Sequence, residues 1–240
     1  MNRRDLVAGL ALASMGTEAQ QQDTESLYIP QQHRVEDRDL LHDFMDEFPF
    51  ADLVTSTPAI RITHIPVVLD RTAGKYGTLY GHVSRQNPQS RMLDGQHPSL
   101  VVFHGPHGYI SPTWYEKTEV VPTWNFAVVH VSGKPRPVTE KKALNDLLRK
   151  LIDRFEKYET SAYDFSKLSD SYKYGLMAGI VGFEMEIELI EGKFKLGQER
   201  SEADRASVLR HLRSASPPRS LHDLTASFYE RTKAAGKGMR

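Results

Sequence analysis

Residues 180–196 read IVGFEMEIELIEGKFKL, and their alternation decides the fold class. Val181, Phe183, Met185, Ile187 and Leu189 alternate with Gly182, Glu184, Glu186 and Glu188, a strand pattern with one buried and one wet face. Glu191 and Gly192 then predict a turn into Phe194 and Leu196. The three glutamates raise the question of an acid/base or metal site. Carboxylates sharing the exposed face of a strand are ordinarily just solvated, and that is the reading kept here.

Working outward, further strand-like runs occupy 51–55, 60–69, 78–83, 100–104, 108–111 and 126–131, separated by Gly, Pro, Asn and Asp. This spacing predicts an antiparallel sheet or barrel rather than βαβ units. Helices are few. One is expected over 37–48, with Asp37 as N-cap and Leu40, Leu41, Phe44, Met45 and Phe48 on its packed face. A second, 140–158, carries Leu144, Leu147, Leu148, Leu151, Ile152 and Phe155 on one stripe and charges opposite. A third, 201–212, starts at Ser201 with Asp204 in the third position. Residues 213–240 are polar and broken by Pro, a tail rather than part of the core.

A chain of 240 residues can bury a full single core. Lys plus Arg equals Asp plus Glu at 31 each, so no global field draws the protein to nucleic acid or to an anionic membrane. The absence of cysteine excludes disulfides, thiolate zinc sites and cysteine nucleophiles together. At the N-terminus, MNRRDLVAGLALASMGTEAQQQD places Arg3 and Arg4 before an apolar run from Leu6 to Met15 and a Thr17-x-Ala19 step. This pattern predicts a twin-arginine-type signal peptide over 1–19 and hence export, for instance to a periplasm. The apolar run is too short for a stable membrane span. The open alternative is an amphipathic N-terminal segment of a cytoplasmic protein.

The stretch 101–131, VVFHGPHGYISPTWYEKTEVVPTWNFAVVHV, holds both tryptophans and three of the ten histidines. Six histidines (His64, His82, His97, His104, His107 and His130) lie between 64 and 130. A metal reading fails on spacing, because Gly105 and Pro106 break any helical face between His104 and His107 and no HExxH accompanies them. Neither GxSxG, GxxxxGK[ST] nor GxGxxG occurs, which argues against a serine hydrolase, a P-loop and a Rossmann site. GTLYGHVSRQNPQSR (77–91) does end a strand with Ser84, Arg85 and Asn87, where a hydroxyl, a planar guanidinium fork and an amide suit a phosphate. The competing reading is an ordinary exposed turn.

Taken in order, YIPQQHRVEDRDLLHDFMDEFPFADLVT (28–55), THIPVVLD (63–70), GTLYGHVSRQNPQ (77–89), LVVFHGPHGYISPTWY (100–115), VVPTWNFAVVHVSG (120–133) and IVGFEMEIELIEGKFKLGQERSEADR (180–205) resemble the PaiB-type family of FMN-binding negative transcriptional regulators. The likeness covers about 27–212. It implies a mainly β flavin split barrel, a six-stranded antiparallel barrel with flanking helices, forming a homodimer with FMN at the subunit interface. By that resemblance Thr63, His64 and Pro66 line the isoalloxazine edge, and His82, Ser84, Arg85 and Asn87 hold the phosphate. Trp114, Tyr115 and Trp124 then frame the ring and the dimer contact as flat partners, with Asn125 as a polar anchor. Plain core or interface packing of the tryptophans stays open. The regulator label also implies DNA as a partner, but no helix-turn-helix pattern or basic stripe supports it. Flavin binding or flavin-linked redox is therefore the leading expectation, and FMN-responsive repression in the cytoplasm the alternative. Haem held by His82 or His107 is a third reading. No residue is assigned as catalytic.

Overall fold

Strands dominate because the period-two segments each have one face to bury, and the computed structural model shows how they do it. It describes residues 26–116, 119–156 and 163–214. The expected signal peptide at 1–19 and almost all of the tail at 213–240 lie outside the described residues. Two compact units are formed, one from 26–108 with 124–198, the other from 109–123 with the segment after Gln198.

The strands are β1 (Arg34–Val35), β2 (Phe50–Thr55), β3 (Arg61–Pro66), β4 (Val68–Asp70), β5 (Thr78–Ser84), β6 (Ser99–Ile110), β7 (Thr123–Gly133), β8 (Arg136–Val138), β9 (Ile180–Glu186) and β10 (Leu189–Lys195). Six make one sheet in the order β1-β10-β7-β6-β2-β3, and four make a second, β4-β5-β9-β8. This is the mainly β, antiparallel architecture expected of a split barrel, with the strands divided between two sheets that do not close into one ring. The chain passes between the sheets four times, through the longer connection from β5 to β6 and at tight corners around Val67, after Gly133 and at Ile187. Gly133 is required there, since a Cβ would lie 2.3 Å from the Glu186 carbonyl oxygen.

The opening segment is therefore one of these corners. Phe183, Met185 and Ile187 are buried as the alternation predicts. The turn, however, falls at Ile187 and Glu188 and not at Glu191-Gly192, which sit inside β10 opposite His130 and Val129. Gly192 serves close packing instead, because a Cβ would meet Leu41 Cδ2 at 2.2 Å. The two runs expected at 100–104 and 108–111 are one strand, β6. Pro106 lies beyond Phe103, the last residue of β6 paired with β2, so its missing N–H breaks nothing on that side.

The core draws Ala51, Leu53, Val101 and Phe103 from the first sheet and Leu79, Val83, Phe183 and Met185 from the second. Helix α1 (Arg38–Glu47) adds Leu41, Phe44 and Met45. Burial of each such side chain is worth about 1.5–3 kcal/mol against exposure. Asp37 caps α1 as expected, its Oδ1 accepting from the amides of Asp39 and Leu40. Helix α2 (Lys141–Glu156) buries Leu144, Leu147 and Leu151. It lies close against β9, where Gly182 has no side chain to clash with Leu144 Cδ1. A further helix, α3 (Asp170–Met177), is capped by Ser169, whose Oγ accepts from the Tyr172 amide. No apolar periodicity announces it in the sequence. In the second unit, α4 (Glu202–Ser214) begins at the expected cap, with Ser201 Oγ accepting from Asp204 N at 3.1 Å.

Candidate functional site

Two constellations in the first unit carry chemistry, and each starts from strand alternation. On β5, Leu79 and Val83 point into the core, so His82 and Ser84 share the opposite face. Burial lowers the pKa of His82 and keeps it neutral, and its Nδ1 is buried with no hydrogen-bond partner. Beyond the strand, Ser84 Oγ accepts from Gln86 N at 3.2 Å, which leaves its own proton free to donate. Arg85 donates from Nε to Ala178 O and from Nη2 to Ile180 O, both at 2.8 Å, so its guanidinium is held rigidly while Nη1 stays available.

Asn87 caps the 3₁₀ turn Pro88–Met92, accepting from Gln89 N at 2.9 Å, and its Nδ2 donates to Thr63 Oγ1 at 2.8 Å. Thr63 in turn donates to Gln89 Oε1. Gln89 is fully buried and donates to Leu53 O at 2.9 Å. Thr63 and Asn87 thus meet in a latch that fixes the turn carrying Ser84 and Arg85, and sequence reasoning missed its buried hub, Gln89. Only its position, one residue past Asn87-Pro88 in a turn, hinted at a role.

The second constellation lies on the outer face of the six-stranded sheet. Thr63 and Ile65 pair with Leu53 and Ala51 on the core side, so His64 and Pro66 of the same motif face outward with Asp52 and Phe50. Asp52 accepts from His64 Nδ1 at one oxygen and from His104 Nε2, 3.0 Å away, at the other. His104 and His64 are more than half exposed, while Asp52 is mostly covered. Farther along, His130 is pushed down to about 4 by burial and by the charge of His104. Its Nδ1 lies 2.9 Å from Ser26 Oγ, which donates to the buried Glu191 at 2.7 Å. Beside His104 is a depression of about 270 Å³ lined also by His107, Trp124, Phe126 and Val128. The rings of His107 and Trp124 are 6.1 Å apart and tilted by 38°. Asn125 follows on β7, half-buried. Asp52 and His104 went unassigned in the sequence, although their strand positions already placed them on the His64 face.

Trp114 and Tyr115 belong to the second unit. There Trp114 stacks on His211 at 5.1 Å and 6° between planes, and Arg200 lies over Tyr115 at 4.7 Å. The Glu116 amide donates to Asp204 at 2.9 Å. These contacts anchor α4 to the 3₁₀ turn Pro112–Trp114. Among the described residues no group of three or more His, Asp or Glu is arranged to hold a metal ion, and no helix is long and apolar enough to cross a membrane.

Two antiparallel sheets joined at bent corners, with flanking helices, define a split-barrel protein. Residues 27–189 match the family described as "Putative FMN-binding domain", and the chain belongs to that family. FMN is the cofactor this membership assigns to it. The chain is 34% identical to the protease synthase and sporulation protein PAI 2 of Bacillus subtilis, over 80% of this chain and 92% of that protein. It is 31% identical to protein AN0679 of Emericella nidulans, over 76% of this chain and 89% of the other. In fold it is similar to the flavocytochrome Anf3 from Azotobacter vinelandii, with a TM-score of 0.53 at 13% identity, covering 76% of this chain and 80% of that one. The residues fit the cofactor: the Ser84 hydroxyl proton and a guanidinium nitrogen of Arg85 are donors of the kind a phosphate dianion takes, and the unpartnered Nδ1 of His82 lies on the same face of β5 as Ser84.

Proposed function

We propose that the protein is a flavoprotein of flavin-linked redox function, working as a homodimer with FMN at the subunit interface. One observation carries the reading: the turn after β5 offers Ser84 and Arg85 outward while the Asn87–Thr63–Gln89 latch and two backbone carbonyls hold it rigid. Preorganised donors bind an anion without a further ordering cost. Ser84 and Arg85 would hold the phosphate, with His82 beside them, while His64, Pro66 and Trp124 on the outer face offer surface for a flat ring. When bound, the flavin supplies reversible electron transfer, and the protein's part is to orient it and set its polar surroundings.

Repression of transcription is the lesser reading. The long helix α2 mixes cations with acids, and three of its cations are engaged with the protein itself: Lys142 with Asp146, Lys150 with Asp70, and Arg154 with the Asp46 carbonyl. Export remains a proposal resting on Arg3, Arg4 and the apolar run that follows. Fusing residues 1–25 to a reporter tests it, and a reporter retained in the cytoplasm would exclude it.

The function is tested by the visible spectrum of the purified protein before and after addition of FMN. Stoichiometric flavin absorption that bleaches with a reductant and returns in air is expected. A colourless protein that leaves the spectrum of added FMN unperturbed would overturn the reading.

A further inference from the structure

Asp52 is a carboxylate placed between two imidazoles, and an ionised carboxylate can only accept. Its contacts therefore set both tautomers: His64 carries its proton on Nδ1 and His104 on Nε2. The nitrogens left over, Nε2 of His64 and Nδ1 of His104, are acceptors. His104 also lines the depression whose other walls include Trp124, Phe126 and Val128. The charged and titratable groups facing His104 from the strands beside β6 are Asp52 on β2 and His130 on β7; His107 shares its strand, and one strand farther out stand His64 on β3 and Glu191 with Lys193 on β10. Glu191 is bound to Ser26, and Lys193 donates to the Tyr28 carbonyl, so neither is directed at His104 by these bonds. His130 stays neutral at pH 7 because of burial and the nearby His104, which leaves Asp52 as the counter-charge for any proton His104 acquires.

We propose that this depression binds a flat conjugated ring bearing an acidic imide N–H or phenolic O–H, and that His104, held by Asp52, accepts the proton. The ring is either that of the flavin or that of a separate substrate, and the chemistry required is the same. The step balances as a plain proton transfer: the ligand's O–H or N–H bond breaks, an N–H bond forms at His104 Nδ1, and the anion faces an imidazolium whose charge Asp52 offsets. Asp52 is the positioning residue. The depression and the tautomers are independent of the β5 turn, so this inference does not require the phosphate placement to be right.

The probe is 4-nitrophenol, whose phenolate has its own absorption band. Binding to the flavin-free protein at pH 7 should increase the phenolate band. His104→Gln and Asp52→Asn should each weaken that binding about tenfold or more, as a hydrogen bond to a charged group is lost. Competition by FMN would identify the flavin ring as the natural occupant, and undiminished binding to the FMN-loaded protein a separate substrate; both support the site. Absence of a phenolate signal in the wild type, or equal binding by His104→Gln, overturns it, even where FMN still binds and the flavin function stands. Nitrogen-15 NMR of the histidine rings checks the premise directly. Fixed Nδ1–H on His64 and Nε2–H on His104 are expected, and freely exchanging tautomers in the wild type would sink the proposal.

Discussion

Arg85 shows how one side chain serves both fold and ligand. Two of its nitrogens close the carbonyls of Ala178 and Ile180, and the third faces outward. Arg85→Ala should weaken FMN binding by about 1.5–3 kcal/mol, roughly ten- to hundredfold in Kd by fluorescence titration. Arg85→Lys should recover only part, since an ammonium cannot reproduce the fork. Unchanged affinity in Arg85→Ala would remove the phosphate from this turn. His130 gives the pH dependence. Its imidazole protonates near 6.5 ordinarily but at about 4 when folded. Between those values the unfolded chain binds more protons, so stability is fully present above about 6.5 and declines as the pH falls toward 4. His82, lowered by burial, adds in the same direction. Urea titrations should show a loss on the order of 2 kcal/mol across that window, partial solvent access allowed for, with a shallower slope in His130→Gln. Residue types suggested Ser84-Arg85-x-Asn87 as a phosphate turn, while Thr63-His64 entered only through the family resemblance. The division of labour was not legible, because whether Asn87 faces a ligand or the buried Gln89 is settled by packing across 24 residues of chain.

Among the elements, the corners decide the architecture. Alternation in 180–196 identified both strands and the buried Phe183 and Met185, yet put the turn four residues late. Glu191-Gly192 has turn composition, but Glu191 is buried as the acceptor for Ser26 and Leu27 amides, and Gly192 makes room for Leu41. Neither demand can be read locally. The same holds for α3, whose cap at Ser169 is clear only once the helix is known. Gly133 is the sharpest test of the corner account. Gly133→Ala puts a methyl group against the Glu186 backbone, which cannot swing aside as a side chain would. Destabilisation of about 1–3 kcal/mol is expected in chemical denaturation. Gly108→Ala, with open space around its Cβ, serves as the comparison and should cost far less. Equal losses in the two variants would mean that the corner has slack.

For the whole molecule, the exposed side of the six-stranded sheet is the surface left to explain. β3 is an edge strand whose Ile62 is 56% exposed, with Phe50 on the neighbouring β2 at 65% and Ile60 at 77% just before the strand. Register places the His64–Asp52 pair between Ile62–Val54 and Pro66–Phe50, a polar contact framed by apolar side chains. An edge of this kind invites pairing, and apolar surface gathered beside it is a usual mark of an interface. A second copy of the chain is the occupant consistent with the proposed homodimer. Light scattering on the intact protein should then give twice the 27.2 kDa chain mass. Ile62→Glu should shift it to one chain mass, while urea stability of the subunit changes within about 0.5 kcal/mol because the side chain is exposed. FMN affinity decides what the interface is for. If it falls together with the dimer, the cofactor depends on both subunits; if the monomer keeps FMN at full affinity, the flavin belongs to one chain and the edge serves assembly alone. A wild-type protein of single-chain mass would end the dimer proposal and leave the β5 turn to bind its phosphate unaided.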